Sequence, residues 1–254
     1  MRAPLAWLGG KSKLASTICD LFPEHRQYCE VFAGAGWVFF RKEPSRYEAL
    51  NDINSDLVTF YRVIQHHFDE FCRQFKWLVA SREQFDDWKR QPAAGGLTDI
   101  QRASRFYYLQ RMAFGGKTIN RSFGCMPYSA PRITTARIEE GLKAVHERLA
   151  GVIIECQPWD AFVARFDGPE TLFYLDPPYW GCERDYGTGL FAREDFTRLA
   201  ETMSRLKGKA LLSLNDRPEV RAVFKAFNLT PVSTTYSVNG QNQCQAKELV
   251  IRNF

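Results

Sequence analysis

Apolar residues first gather at 28–33, Tyr-Cys-Glu-Val-Phe-Ala, and the run breaks at once on Gly-Ala-Gly at 34–36. Short apolar runs bounded by glycine or polar turns read as buried strands. The same signal returns at 46–50, ending on Asn51-Asp52, and again at 152–156, 171–176 and 209–214. A helix is predicted directly after the glycine turn. From about 54 to 149 the spacing turns helical, with aromatic-rich stretches at 57–75, 82–90 and 99–113 and a closing helix at 136–150. An irregular stretch, FGGKTINRSFGCMPYSAPRITT, interrupts it. Helical patterns near 159–166 and 193–206 separate the later strands, and the C-terminal residues from Leu229 onward read as two strands around an Asn239-Gly240 turn.

These elements predict an α/β fold in which both ends of the chain, 1–53 and 151–254, build one Rossmann-like sheet. A helical insertion, 54–150, is the candidate second domain. With 254 residues, 45% of them apolar and 25% charged, the chain has enough sequence for a substantial core. No apolar run approaches the ~18 residues that span a bilayer, and MRAPLAWLGGKSK lacks a signal-peptide core. The expectation is a cytoplasmic protein without a membrane partner. Seven scattered cysteines form no C-x-x-C pair, which argues for reduced thiols and against a zinc site. Charge is unevenly spread. Between Lys89 and Ile138 stand nine basic residues and one acid, Asp99, a net +8 in a chain whose total is +5. Aromatic residues interleave with these cations, a pattern suited to nucleic-acid phosphates and bases.

The strand at 171–175 ends on Asp176-Pro177-Pro178-Tyr179. Ligands of open parallel sheets sit outside the carboxyl ends of the strands, where Asp176 falls. Proline offers a carbonyl and no N–H, so this strand end presents acceptors: the Asp176 carboxylate and the Pro177 carbonyl. Two adjacent acceptors suit an –NH2 group, and the Tyr179 ring can stack on the flat base that carries it. The glycine turn 34–36 followed by Asp52 at the next strand end fits an adenosine-bearing ligand, with Asp52 accepting ribose hydroxyls. Trp-Leu-Gly-Gly-Lys-Ser at 7–12 lacks phosphate-loop spacing, since Leu5 stands where the first glycine is required. Lys11 reads instead as a cation for a ligand carboxylate, and Trp7 as a packing ring.

W-x-G-G-K near the N-terminus, F-A-G-A-G, N-D at the next strand end and D-P-P-Y after a helical insertion together resemble the Dam-type (D12 class, alpha-group) DNA adenine methyltransferases. The resemblance runs from Trp7 to at least Trp180 and extends through L-S-L-N-D (212–216) and A-K-E-L-V-I (246–251). It implies an S-adenosylmethionine-dependent methyltransferase sheet, transfer of a methyl group to adenine N6 in double-stranded DNA, and a flipped target base. By this resemblance Trp7, Lys11, Phe32, Gly34, Gly36, Asp52, Asp160 and Asp176 hold the cofactor. Asp176, Pro177, Pro178 and Tyr179 hold the target amine. In the basic insertion, Arg111, Lys117, Asn120, Arg121, Phe123 and Arg132 are the DNA-binding candidates. Neither a metal nor an obligate protein partner is implied.

Members that recognise GATC carry N-G-L-x-R-Y-N followed by F-N-x-P-[FY]-G in the insertion. A-F-G-G-K-T-I-N-R-S-F-G stands here, a different pattern, so the resemblance does not carry GATC specificity over, and a different site or relaxed recognition is open. Pockets of the D/N/S-P-P-Y/F type also serve cytosine N4, RNA adenine and protein glutamine methylation. A non-catalytic nucleic-acid-binding relative is the remaining alternative.

Overall fold

Alternation along the central strands explains the layers. The computed structural model describes the chain except residues 8, 92–94, 120, 125–132, 134, 184, 186, 188 and 239–241, with backbone alone at 135, 136, 234–238 and 242–246. Seven strands form one sheet: β1 (Gln27–Glu30), β2 (Tyr47–Asn51), β3 (Ile153–Glu155), β4 (Thr171–Leu175), β5 (Lys209–Asn215), β6 (Asn228–Val238) and β7 (Asn242–Arg252). Their order is β3-β2-β1-β4-β5-β7-β6, parallel except for β7, which runs antiparallel to both neighbours. Tyr28, Leu172 and Tyr174 enter the core on one face, while Cys29, Phe173 and Leu175 enter the core on the other. A sheet buried on both faces needs near-continuous apolar strands, and β4 is buried along its whole length.

One face is covered by α2 (Ser55–His66), α3 (Phe68–Gln74), α4 (Arg82–Arg90), α5 (Asp99–Met112) and α6 (Thr135–Leu149), all inserted between β2 and β3. Their aromatic residues share a single core with the sheet: Phe60, Phe71, Tyr107 and Tyr108 are buried beside Tyr28 and Tyr174. The other face packs α7 (Trp159–Phe166), α8 (Arg193–Arg205) and α9 (Pro218–Val223). A short α1 (Ala15–Cys19) precedes β1.

The helix predicted after the glycine turn is not formed. Residues 37–42 make successive turns, with Phe40 N donating to Gly36 O and Lys42 N to Val38 O. Pro44 follows two residues later and disfavours helical geometry in the residue before it. The stretch 57–75 is two helices, because His67 departs from helical geometry at φ −133° and ψ 43°. Neither α1 nor α9 was predicted; α9 begins with Pro218 at its first position, where a missing N–H costs nothing. The C-terminal strand pair stands as expected, while the Asn239-Gly240 turn lies outside the described residues.

Candidate active site

Strand order reverses between β1 and β4, and the carboxyl ends of the parallel strands meet there. The last residue of β4 is Leu175, so Asp176 is the first residue beyond the ladder. Its Oδ1 accepts hydrogen bonds from Lys11 Nζ at 2.6 Å and from Ser213 Oγ at 3.1 Å. Ser213 shares a hydrogen bond with the Tyr174 hydroxyl at 2.9 Å. Lys11 also donates to Gly9 O at 3.3 Å, lies 4.0 Å from Glu248 Oε2 and sits 4.6 Å from the Tyr179 ring centroid. The Tyr179 hydroxyl in turn donates to Glu248 Oε1. Burial pushes the Asp176 carboxyl above its ordinary range, Lys11 pulls it back, and the negative charge of Glu248 pushes it further up. The cation expected at a ligand carboxylate is thus already paired with the strand-end aspartate.

A cavity of about 790 Å³, counted with its open mouth, lies beside this cluster and is lined by Lys11, Phe32, Asp52, Asp176 and Pro178. Its floor is the glycine turn. Gly34 (φ +48°) faces the Trp7 indole, where an added Cβ would stand 2.8 Å from Nε1. Gly36 (φ +69°) leaves no room for a Cβ against the Phe40 ring, 2.9 Å away. Asp52 holds the turn from the next strand end: Oδ2 accepts from Gly34 N and Oδ1 from Asn54 N, each at 2.9 Å. Burial raises the Asp52 carboxyl, and these backbone donors lower it again. Glu30 also borders the cavity; burial pushes its carboxyl up to about 8, although the Tyr28 hydroxyl donates to it at 2.6 Å.

Trp7, Lys11, Phe32, Gly34, Gly36, Asp52 and Asp176 therefore line one cavity. Asp160 does not line it. It sits in the first turn of α7, half-exposed, and forms an ion pair with Arg198 of α8. Pro177 is buried, and Trp180 packs against Phe196 with its backbone clamped by the Asn215 amide.

In the insertion, Lys117 is exposed and Arg111 half-buried. Arg121 is folded inward: Nη2 donates to Gln110 Oε1 at 3.2 Å, and the guanidinium lies over Phe106. Burial lowers its pKa to about 10, still fully charged at neutral pH. Phe123 packs edge-on against Phe85, with Arg82 over its ring. Asn120 and Arg132 lie outside the described residues. Part of the basic run is structural, since Arg102 pairs with Asp56 and Arg105 donates to the carbonyls of Trp88 and Gln91.

Sequence reasoning did not single out Ser213 or Glu248. The available signal was a polar residue inside or at the edge of an apolar run: Ser213 in A-L-L-S-L, and Glu248 directly before L-V-I.

A reversing parallel sheet with one antiparallel strand, and a glycine-and-acid cavity at the reversal, define an α/β enzyme of the nucleotide-cofactor-binding class. Residues 7–238 match the family model described as D12 class N6 adenine-specific DNA methyltransferase, and the chain belongs to that family. It is similar over 98% of its length to a DNA adenine methylase of Vibrio cholerae (27% identical, covering 95% of that protein). It is likewise similar to a DNA adenine methylase of Escherichia coli K12 (28% identical, 98% of this chain and 94% of the relative). The type II methyltransferase M1.LlaDCHI of Lactococcus lactis subsp. cremoris is 25% identical over 98% of this chain and 94% of its own. The protein is an adenine-specific DNA methyltransferase. Among the described residues no helix is long and apolar enough to cross a membrane, and no group of His, Cys, Asp and Glu side chains is placed to hold a metal ion.

Proposed function

We propose that the protein methylates adenine N6 in double-stranded DNA with S-adenosylmethionine as methyl donor, acting on a base turned out of the duplex to meet Asp176. The observation that carries this reading is the fixing of Asp176 at the sheet's reversal point by Lys11 and Ser213, both on Oδ1. The other carboxylate oxygen carries neither of these bonds and is available to the substrate amine.

The cavity fits the cofactor. The two positive-φ glycines bring bare backbone to its lining beside Asp52 and Asp176, the close approach that a nucleotide-bearing ligand needs. Asp52 would hold the ribose hydroxyls, and Trp7 and Phe32 would flank the ligand. Lys11 would reach the cofactor carboxylate only by sharing its ammonium with Asp176. The bound cofactor supplies an electrophilic methyl group on a sulfonium.

This chain's residues do the rest. An adenine amine is a poor nucleophile because its lone pair is delocalised into the ring. Asp176 and the Pro177 carbonyl accept its two protons in hydrogen bonds, draw the nitrogen toward tetrahedral geometry and so free the lone pair. Tyr179 stacks on the ring and keeps the amine aligned. Holding reactants at attack distance can supply roughly 7–11 kcal/mol of the barrier. A base inside a duplex cannot reach such a site, and extruding it costs a few kcal/mol. Phosphate contacts from the 54–150 insertion, Lys117 foremost, offset that cost as the target-recognition unit.

Transfer of a labelled methyl group from S-adenosylmethionine to duplex DNA, with the product nucleoside identified, tests the reading. N6-methyladenine is expected without added metal or nucleoside triphosphate. Asp52→Ala is expected to weaken cofactor binding by about 1.5–3 kcal/mol in calorimetry, the worth of a charge-assisted hydrogen bond. Absence of cofactor binding by the wild type would overturn the reading.

A further inference from the structure

Glu248 is the one glutamate of β7, flanked by Leu249, Val250 and Ile251, and only 1% of it is exposed. A buried carboxylate is costly unless it is paired, so its presence in an apolar strand calls for partners. Two of them belong to the site: the Tyr179 hydroxyl donates to Oε1, and the Lys11 ammonium stands 4.0 Å from Oε2. Strand register produces the meeting. Glu248 is paired with Asn215 of β5 in the antiparallel ladder, and Asn215 itself clamps the Trp180 backbone through two hydrogen bonds of 3.0 Å. Two residues back on β5, Ser213 holds Asp176. The segment 176–180 is therefore braced by side chains at three successive points: Ser213 at the acid, Glu248 at the tyrosine and Asn215 at the tryptophan.

We propose that Glu248 is a positioning residue for methyl transfer, locking the Tyr179 ring through its hydroxyl and sharing Lys11 with Asp176. The proposal rests on the reading above, in which Asp176 accepts the substrate amine and Tyr179 stacks on the base. A phenol tied by its hydroxyl to a buried carboxylate cannot swing away from the stacking position, and a misplacement of about 1 Å at a reacting centre can cost on the order of a hundredfold in rate. Lys11 serves two carboxylates with one charge. Because Glu248 draws on the same ammonium, Asp176 has less than a full positive partner and is the stronger acceptor for the amine.

Electrostatics separates this role from simple bracing. Among the described residues, the charged and titratable groups around Asp176 include Lys11 from the N-terminal loop, Glu30 from β1, Tyr174 from β4, Tyr179 from the same strand end and Glu248 from β7, with the Ser213 hydroxyl from β5. Burial raises the Asp176 carboxyl, Lys11 lowers it, and Glu248 raises it. Removing the Glu248 charge therefore moves Asp176 downward, and the acidic limb of the rate profile moves to lower pH with it.

The test is single-turnover methylation of duplex DNA across pH by the full-length protein and its variants. Glu248→Ala is expected to slow transfer by about tenfold or more, with cofactor affinity within about threefold of wild type. Glu248→Gln keeps an acceptor for the Tyr179 hydroxyl and is expected to recover most of the rate, with the acidic limb displaced to lower pH. Tyr179→Phe should slow transfer and leave that limb in place. The double variant Glu248→Ala/Tyr179→Phe should be no slower than the slower single variant within about threefold, the signature of coupled residues. Should Glu248→Ala fail to fold, Glu248→Gln and Tyr179→Phe decide the matter alone. An unmoved acidic limb in Glu248→Gln, or strictly multiplicative losses in the double variant, overturns the proposal. Retention of wild-type rate by Asp176→Ala overturns the underlying reading, and the proposal falls with it.

Discussion

Gly34 shows how little latitude single residues have in this site. Its φ of +48° is strained for any L side chain, and the Trp7 indole occupies the space a Cβ would need. Left-handed geometry alone costs roughly 1–2 kcal/mol per residue without glycine. Gly34→Ala is expected to melt a few degrees below wild type and to lose cofactor affinity at least about tenfold, since the turn and Trp7 must both move. Calorimetry and thermal denaturation check it, and an unchanged affinity would mean the turn does not carry the ligand. Asp176, Lys11, Gly34 and Asp52 were legible in the sequence because each sits in a local motif whose chemistry is read from its neighbours. Their pairings were not. Lys11 and Asp176 lie 165 residues apart, and the bond between them exists only once β4 and the N-terminal loop converge. Glu248 was illegible for the same reason, since its position depends on the β5–β7 register.

Among the elements, β2 and α6 are joined by a buried ionic cluster. Glu48 of β2 accepts from Lys42 Nζ at 2.6 Å and from both terminal nitrogens of Arg148 in α6, whose guanidinium lies over the Phe39 ring. Burial pushes the Glu48 carboxyl up, but Arg148, Lys42 and the Ser45 N–H pull it further down, so it ends below the ordinary range. The folded chain binds this proton less tightly than the unfolded chain. The cluster's stabilisation is therefore present above the unfolded value of about 4.3 and is lost as pH falls through the folded value. Glu48→Gln leaves two buried cations short of a partner and is expected to destabilise by about 3–5 kcal/mol at pH 7, with the difference from wild type shrinking in acid. Denaturant unfolding at pH 7 and pH 3 measures both. The parallel strands were legible because burial on both faces demands continuous apolar runs. The turns at 37–42 were not, because Phe39 and Phe40 give an apolar signal that suits a helix while nearby Pro44 works against one.

Across the whole molecule, charge and motif order carried the functional reading further than any one element. The order of W-x-G-G-K, F-A-G-A-G, N-D and D-P-P-Y points, without any contact, to the family whose model residues 7–238 match. The basic run was less transparent, because composition does not reveal which cations are consumed internally, as Arg102 and Arg105 are. Two insertion variants should consequently differ. Lys117→Ala, at an exposed site, is expected to weaken binding to all DNA sequences alike and to reduce the salt slope by roughly one ion. Arg121→Ala also removes a contact with Gln110, which donates to Ala6 O beside Trp7, and is expected to lower cofactor affinity as well. Fluorescence titrations with DNA and cofactor separate the two. In the proposed mechanism Asp176 activates the adenine amine as a charged acceptor. Single-turnover methyl transfer to duplex DNA by Asp176→Asn, which preserves shape and removes charge, tests it most directly. A loss of more than about a hundredfold is expected with DNA affinity retained, because affinity comes mainly from the phosphate backbone. A rate within about tenfold of wild type would contradict it.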